Sequence, residues 1–94
     1  MHGKPQNQLY RYIPIWQRAE DHACLYRVIE IVGVGFVVQS RDFFHSDSDV
    51  THFSQLDQQF VELLMDTPPE KRMPPQISIQ QAIAHFEQQF QAGA

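Results

Sequence analysis

Cysteine is almost missing from this chain. Cys24 stands alone, so no disulfide can form within one copy, and such economy accords with a reducing, cytoplasmic setting. No apolar run approaches the ~18 residues of a membrane span. The opening Met1-His2-Gly3-Lys4-Pro5-Gln6-Asn7-Gln8 lacks the hydrophobic stretch of a signal peptide. Basic residues are also few: 7 Lys and Arg stand against 11 Asp and Glu, for a net charge of −4. They are scattered, and Lys71-Arg72 is too small a cluster to bind a phosphate backbone or a membrane. Nucleic acid and membrane are therefore not expected as partners.

What the chain does have is apolar material. With 94 residues, 43% hydrophobic and 12% aromatic, it is one small domain and too apolar to stay disordered. Residues 1–8 read as a loose tail and 9–94 as the domain. Charge is uneven, since residues 1–41 carry +2 and residues 42–94 carry −6. The acidic half is either a solvated surface that keeps the protein soluble or a patch for a basic partner or a cation.

Period-two alternation marks the first half. Leu9 to Gln17 alternates Leu9, Ile13 and Ile15 with Tyr10, Tyr12 and Trp16, which predicts a strand. Pro14 places it at a sheet edge or on a bulge. Residues 23–32 are apolar on both sides and rich in β-branched residues, as a central strand requires; a helix from Arg18 to Val32 is the competing reading. Gly33-Val34 fits a two-residue hairpin that sets Ile31 opposite Phe36. One face then holds Leu25, Arg27, Ile29, Ile31, Phe36 and Val38, with the Arg27 head reaching the sheet margin. The third strand is expected to end near Arg41.

The period then changes. Phe53, Leu56, Phe60, Leu63 and Leu64 predict an amphipathic helix over 50–66, capped by Ser48 or Asp49. The segment from Thr67 to Pro75 reads as a stiff, extended connector. Ser78 opens a second helix with a Ser-x-x-Gln capping box, Ile79, Ile83, Phe86 and Phe90 forming its stripe and Gly93 its exit. The order is β-β-β-α-α. It predicts an α+β fold, a three-stranded antiparallel meander followed by two amphipathic helices packed on one sheet face.

Two helices cover one face and leave the other. Tyr10, Tyr12, Trp16 and Tyr26, with Val28 and Val37, would lack an intrachain cover, and each buried side chain of this kind is worth about 1.5–3 kcal/mol. The expectation is a non-catalytic interaction module, a homodimer through this aromatic face. The alternative is a small-molecule-binding protein whose pocket, walled by Tyr10, Tyr12, Trp16 and Tyr26, favours apolar or cationic ligands. Both readings fall if the first strand's faces are reversed and Trp16 is an ordinary core residue.

No motif carries a reaction. His45, Asp47, Asp49 and His52 could offer nitrogen and oxygen ligands, but their spacing matches neither a calcium loop nor a zinc helix. Helix capping accounts for Ser48 and Asp49 without a metal. Cys24, between Ala23 and Leu25, reads as a small core hydrophobe rather than a nucleophile. Gly33-x-Gly35 precedes a strand pattern, whereas a phosphate loop needs a helix to follow. No cofactor, metal or catalytic residue is assigned.

Overall fold

The computed structural model describes residues 8–47 and 50–92. Strands β1 (Tyr10–Arg18), β2 (His22–Ile31) and β3 (Gly35–His45) form an antiparallel sheet in the order β1-β2-β3. Helices α1 (Val50–Asp66), α2 (Pro69–Arg72) and α3 (Ile79–Ala92) follow, with α1 and α3 packed on the sheet. The α+β class and the meander are those the sequence predicts. No helix among the described residues is long and apolar enough to cross a membrane.

β2 is the central strand its composition predicts. Val28 and Ile29 point to opposite faces and both are fully buried. Two separate clusters result. On one face Ile29, Ile31 and Val37 pack with Phe60 of α1. On the other, Cys24, Tyr26, Val28 and Val38 pack with Ala82 and Phe86 of α3. The helices therefore take opposite faces of the sheet, where the sequence reading put both on one.

Which β3 side chains share each face is set by the hairpin. Ile31 pairs with Gly35, not Phe36, because the connection holds three residues rather than two. Gly33 has φ +85° at the third position of a turn closed by the Val34 N–H donating to the Ile31 carbonyl (2.8 Å), a place that favours glycine. A shift of one residue moves every β3 side chain to the other face. Phe36 and Val38 thus join Val28, and Val37 joins Ile29. A bulge between Arg27 and Val28 pairings restores Ser40 opposite Arg27 and Asp42 opposite Leu25.

Two further boundaries differ from expectation. β3 runs on to His45, because Asp42 and Phe44 continue the alternation beyond Arg41. The 67–75 connector contains the single turn α2, whose Pro69 sits at the first helical position, where a missing N–H costs nothing. α1 keeps the bounds its period predicts, and the Gln81 N–H donates to Ser78 Oγ (3.1 Å) at the start of α3. The expected caps Ser48 and Asp49, the exit at Gly93 and nearly all of the 1–8 tail lie outside the described residues.

Candidate functional site

β1 alternates cleanly, and its register fixes where the aromatic side chains go. Tyr10, Tyr12 and Trp16 stand opposite Ile31, Ile29 and Leu25, on the face that α1 covers. Tyr26 stands opposite Ile15, on the face of α3. The four therefore do not wall one pocket, and the expected single aromatic face is corrected to two sites with different surroundings. Tyr26 is buried among core residues; its hydroxyl donates to the Glu87 carboxylate, and the Arg41 guanidinium lies over Phe86 (5.6 Å) and 3.7 Å from Glu87. Burial first, and then the Glu87 hydrogen bond, push its phenol above the ordinary value.

The first face stays partly open. α1 lies over β2 and β3, and its Phe60 ring meets Tyr12 at 4.6 Å. Trp16 is 54% exposed, its ring 5.6 Å from Phe44, which in turn lies 4.8 Å from Phe53. Tyr12 and Phe53 are each 40% exposed. An aromatic strip thus runs from the edge strand across Phe44 to the first turns of α1. Tyr10 is drawn out of it, its hydroxyl donating to Glu70 of α2 (2.9 Å). Phe53 was absent from the sequence-derived site. Its place at the start of the α1 stripe, beyond the part that covers the sheet, is the signal for its exposure.

Beneath the strip sits a charge. Arg27 is 2% exposed, not at the sheet margin as expected from its long stem. Its Nε donates to Asp42 (2.7 Å), an Nη atom lies 2.9 Å from Asp57 of α1, and its guanidinium is 5.4 Å from the Phe60 ring centre. Burial alone would lower its pKa, but the bonds to Asp42 and Asp57 outweigh that and raise it. The arginine pins α1 to the sheet and keeps its charge.

Catalytic geometry is not assembled at the other candidates. The Cys24 thiol is buried, and burial pushes its pKa up, away from the thiolate a nucleophile needs. His45 ends β3 with its ring 5.8 Å from that of His22, whereas His52 turns to Phe44 on the opposite face. Asp21 bonds His22 Nδ1 (2.8 Å). Among the described residues no three His, Cys, Asp or Glu side chains are grouped to hold a metal ion. Gly33 and Gly35 belong to the hairpin. No protein-family model, curated protein or solved structure matches the chain.

Proposed function

We propose that the protein is a non-catalytic interaction module that pairs with a second copy through the Tyr12, Trp16 and Phe53 strip. The observation that carries the reading is Trp16, more than half exposed on β1, with two further half-open aromatic rings, Tyr12 and Phe53, on the same side of the sheet. Rings of this kind form the energetic centres of protein interfaces.

A second copy is the occupant the charges favour. On this face the strip runs between Arg18 at the end of β1 and Asp57 on α1, the latter 71% exposed. A two-fold axis that sets the β1 side of one copy against the α1 side of the other brings these opposite charges together and stacks the strips. Size sets the strength. Three half-open rings supply about 300 Å² of apolar surface, short of the ~800 Å² per partner of a stable complex. The dimer is accordingly weak, with dissociation in the micromolar range. A cytoplasmic setting belongs to the same proposal and is supported by the economy of cysteine, Cys24 having no partner in the chain for a disulfide.

Sedimentation velocity over a concentration series tests this. The expected result is a monomer–dimer equilibrium that weakens with salt and is abolished in Trp16→Arg at an unchanged circular dichroism spectrum. A wild-type chain that stays monomeric at ~100 µM, far above a micromolar constant, overturns the proposal, as does an equilibrium that Trp16→Arg leaves intact.

A further inference from the structure

Two histidines meet at the end of the sheet remote from the β2–β3 turn. His22 opens β2 and His45 ends β3, and the register sets them directly opposite each other. The turn between β1 and β2 decides how they meet. Its closing bond runs from the Ala19 N–H to the His22 carbonyl (2.9 Å), so the His22 main-chain groups point to β1 and not to β3. Opposite His45 it therefore forms a pair without main-chain hydrogen bonds, the kind in which antiparallel side chains stand closest. The rings follow, with centres 5.8 Å apart and planes inclined by 41°.

The same turn orients one of the rings. Asp21 Oδ1 lies 2.8 Å from His22 Nδ1, and this bond is the main cause that holds the Asp21 carboxyl below its ordinary range. The charged carboxylate accepts the Nδ1 proton and leaves Nε2 as the basic nitrogen of the ring. Solvent reaches both partners: 31% of the His22 side chain is open, and His45 is exposed. With Glu20, Asp21 and Ser46 they line an open groove at the sheet end. The Phe43 ring, 5.8 Å from that of His22, gives the pair an apolar flank.

We infer that His22 and His45 form a two-imidazole site for a divalent late first-row metal ion such as zinc. Each ring nitrogen bonds such an ion at about 2.0–2.1 Å, which puts two ring centres roughly 5 Å apart around a tetrahedral ion. The rings, at 5.8 Å, need to close by less than ~1 Å, a small torsion for exposed side chains. A carboxylate behind a ligating imidazole fixes its tautomer and raises its basicity, and Asp21 already stands in that place. Among the described residues no three ligating side chains are grouped, so water completes the shell. The affinity is accordingly about 10–100 µM, far short of a closed structural site. Imidazole nitrogen selects zinc, nickel or copper over calcium and magnesium, which take oxygen. The pair lies on the α3 side of the sheet with Cys24 and Tyr26, away from the aromatic strip, so neither proposal depends on the other.

Histidine ring NMR during a zinc titration decides it. The His22 and His45 signals are expected to shift together and to saturate below ~1 mM Zn²⁺. His52 and His85, on the same chain, are the internal comparison and respond only at higher zinc. Mg²⁺ at the same concentration leaves these rings in place. His45→Gln is expected to weaken zinc by about tenfold or more. Asp21→Asn, which keeps both imidazoles, weakens it by about tenfold, the lower end for a partner behind a metal-bound histidine. A response that does not saturate below ~1 mM, is led by His52 or His85, is reproduced by Mg²⁺, or is unaltered in either variant overturns the inference. Should His45→Gln fail to fold, the order in which the rings respond to the two ions on the wild-type chain is sufficient.

Discussion

Arg27 Nε and Asp42 Oδ2 lie 2.7 Å apart on neighbouring strands, with only 3% of the arginine side chain and 17% of the aspartate reached by solvent. They stand on a diagonal, since Arg27 pairs with Ser40 and Asp42 with Leu25. The bulge in β3 creates that diagonal, because without its extra residue the β3 side chains beyond it would face the other side of the sheet. A local irregularity in the backbone thus places the less exposed of the two carboxylates that make a buried cation tolerable.

Removing that carboxylate strands the guanidinium. Asp42→Ala is expected to cost about 3 kcal/mol, the lower end of the range for breaking a buried pair, because Asp57 remains. Asp57→Ala, at a carboxylate that is 71% exposed, should cost under ~1 kcal/mol. Urea unfolding of the two variants measures the difference. Equal losses would mean that Asp57, not Asp42, holds the arginine.

Gly35 is packed against the connector so closely that no side chain fits. A Cβ built there would lie 2.6 Å from the Gln76 carbonyl oxygen and 3.0 Å from Pro75 Cβ. The clash is with backbone, which cannot swing aside. Gly35→Ala should therefore cost about 1–3 kcal/mol, the range for overpacking, and should speed hydrogen exchange of the Phe36 and Gln76 amides. Gly33 has open space but φ +85°, so Gly33→Ala should cost about 1 kcal/mol through the backbone alone and leave those two amides protected.

Much of this architecture is legible in the sequence, and what is not has a specific cause. The α1 period runs unbroken from Phe53 to Leu64, so its bounds follow from local pattern. The double-sided burial of β2 follows from its Val and Ile content. The faces do not follow. They depend on whether the hairpin connection holds two residues or three, and Gly33-Val34-Gly35 is compatible with both. Fixing it wrongly exchanges Val37 with Val38, while the β1–β2 register, equally open in the pattern, decides that Trp16 stands opposite Leu25 and away from Tyr26. The polar partners were also out of reach: Glu87 and Asp57 are far along the chain, on exposed helix positions whose distances to Tyr26 and Arg27 depend on which face each helix covers.

Pro14 guards an open edge. The Val32 N–H donates to the Leu9 carbonyl (3.0 Å), so the odd positions of β1 turn their main-chain groups to β2 and the even ones turn them outward. Pro14 is even, and it removes a donor from the middle of the outer edge of β1, which pairs with no strand but β2 among the described residues. This is why the proposed dimer uses the aromatic face rather than an extended sheet. Pro14→Val should restore the donor and add β propensity. The expected outcome in sedimentation is species larger than a dimer, with increased thioflavin fluorescence on standing. A variant with the wild-type distribution would show that the edge is protected by something else.

Alkaline pH should loosen the α3 face. Tyr26 is raised above its ordinary 10.0 by burial and by the Glu87 hydrogen bond, and Cys24 above its ordinary 9.0 by burial. Each proton is held more tightly folded than unfolded. The contribution to stability is therefore whole below the unfolded pKa values and is lost as pH rises through the folded ones. Stability should be flat up to about pH 8, begin to fall as the unfolded Cys24 thiol ionises around 9.0, and fall further beyond about pH 10 as the tyrosines follow. Tyr26→Phe forfeits the bond to Glu87, at a cost of about 1 kcal/mol at neutral pH. It also deletes one of the titrations, so its guanidinium midpoint should decline less steeply than that of the wild type above pH 10. Tyr10 and Tyr12, also raised by burial, would supply the slope that remains. If the two curves stay parallel, Tyr26 is not the group whose ionisation unseats the helix.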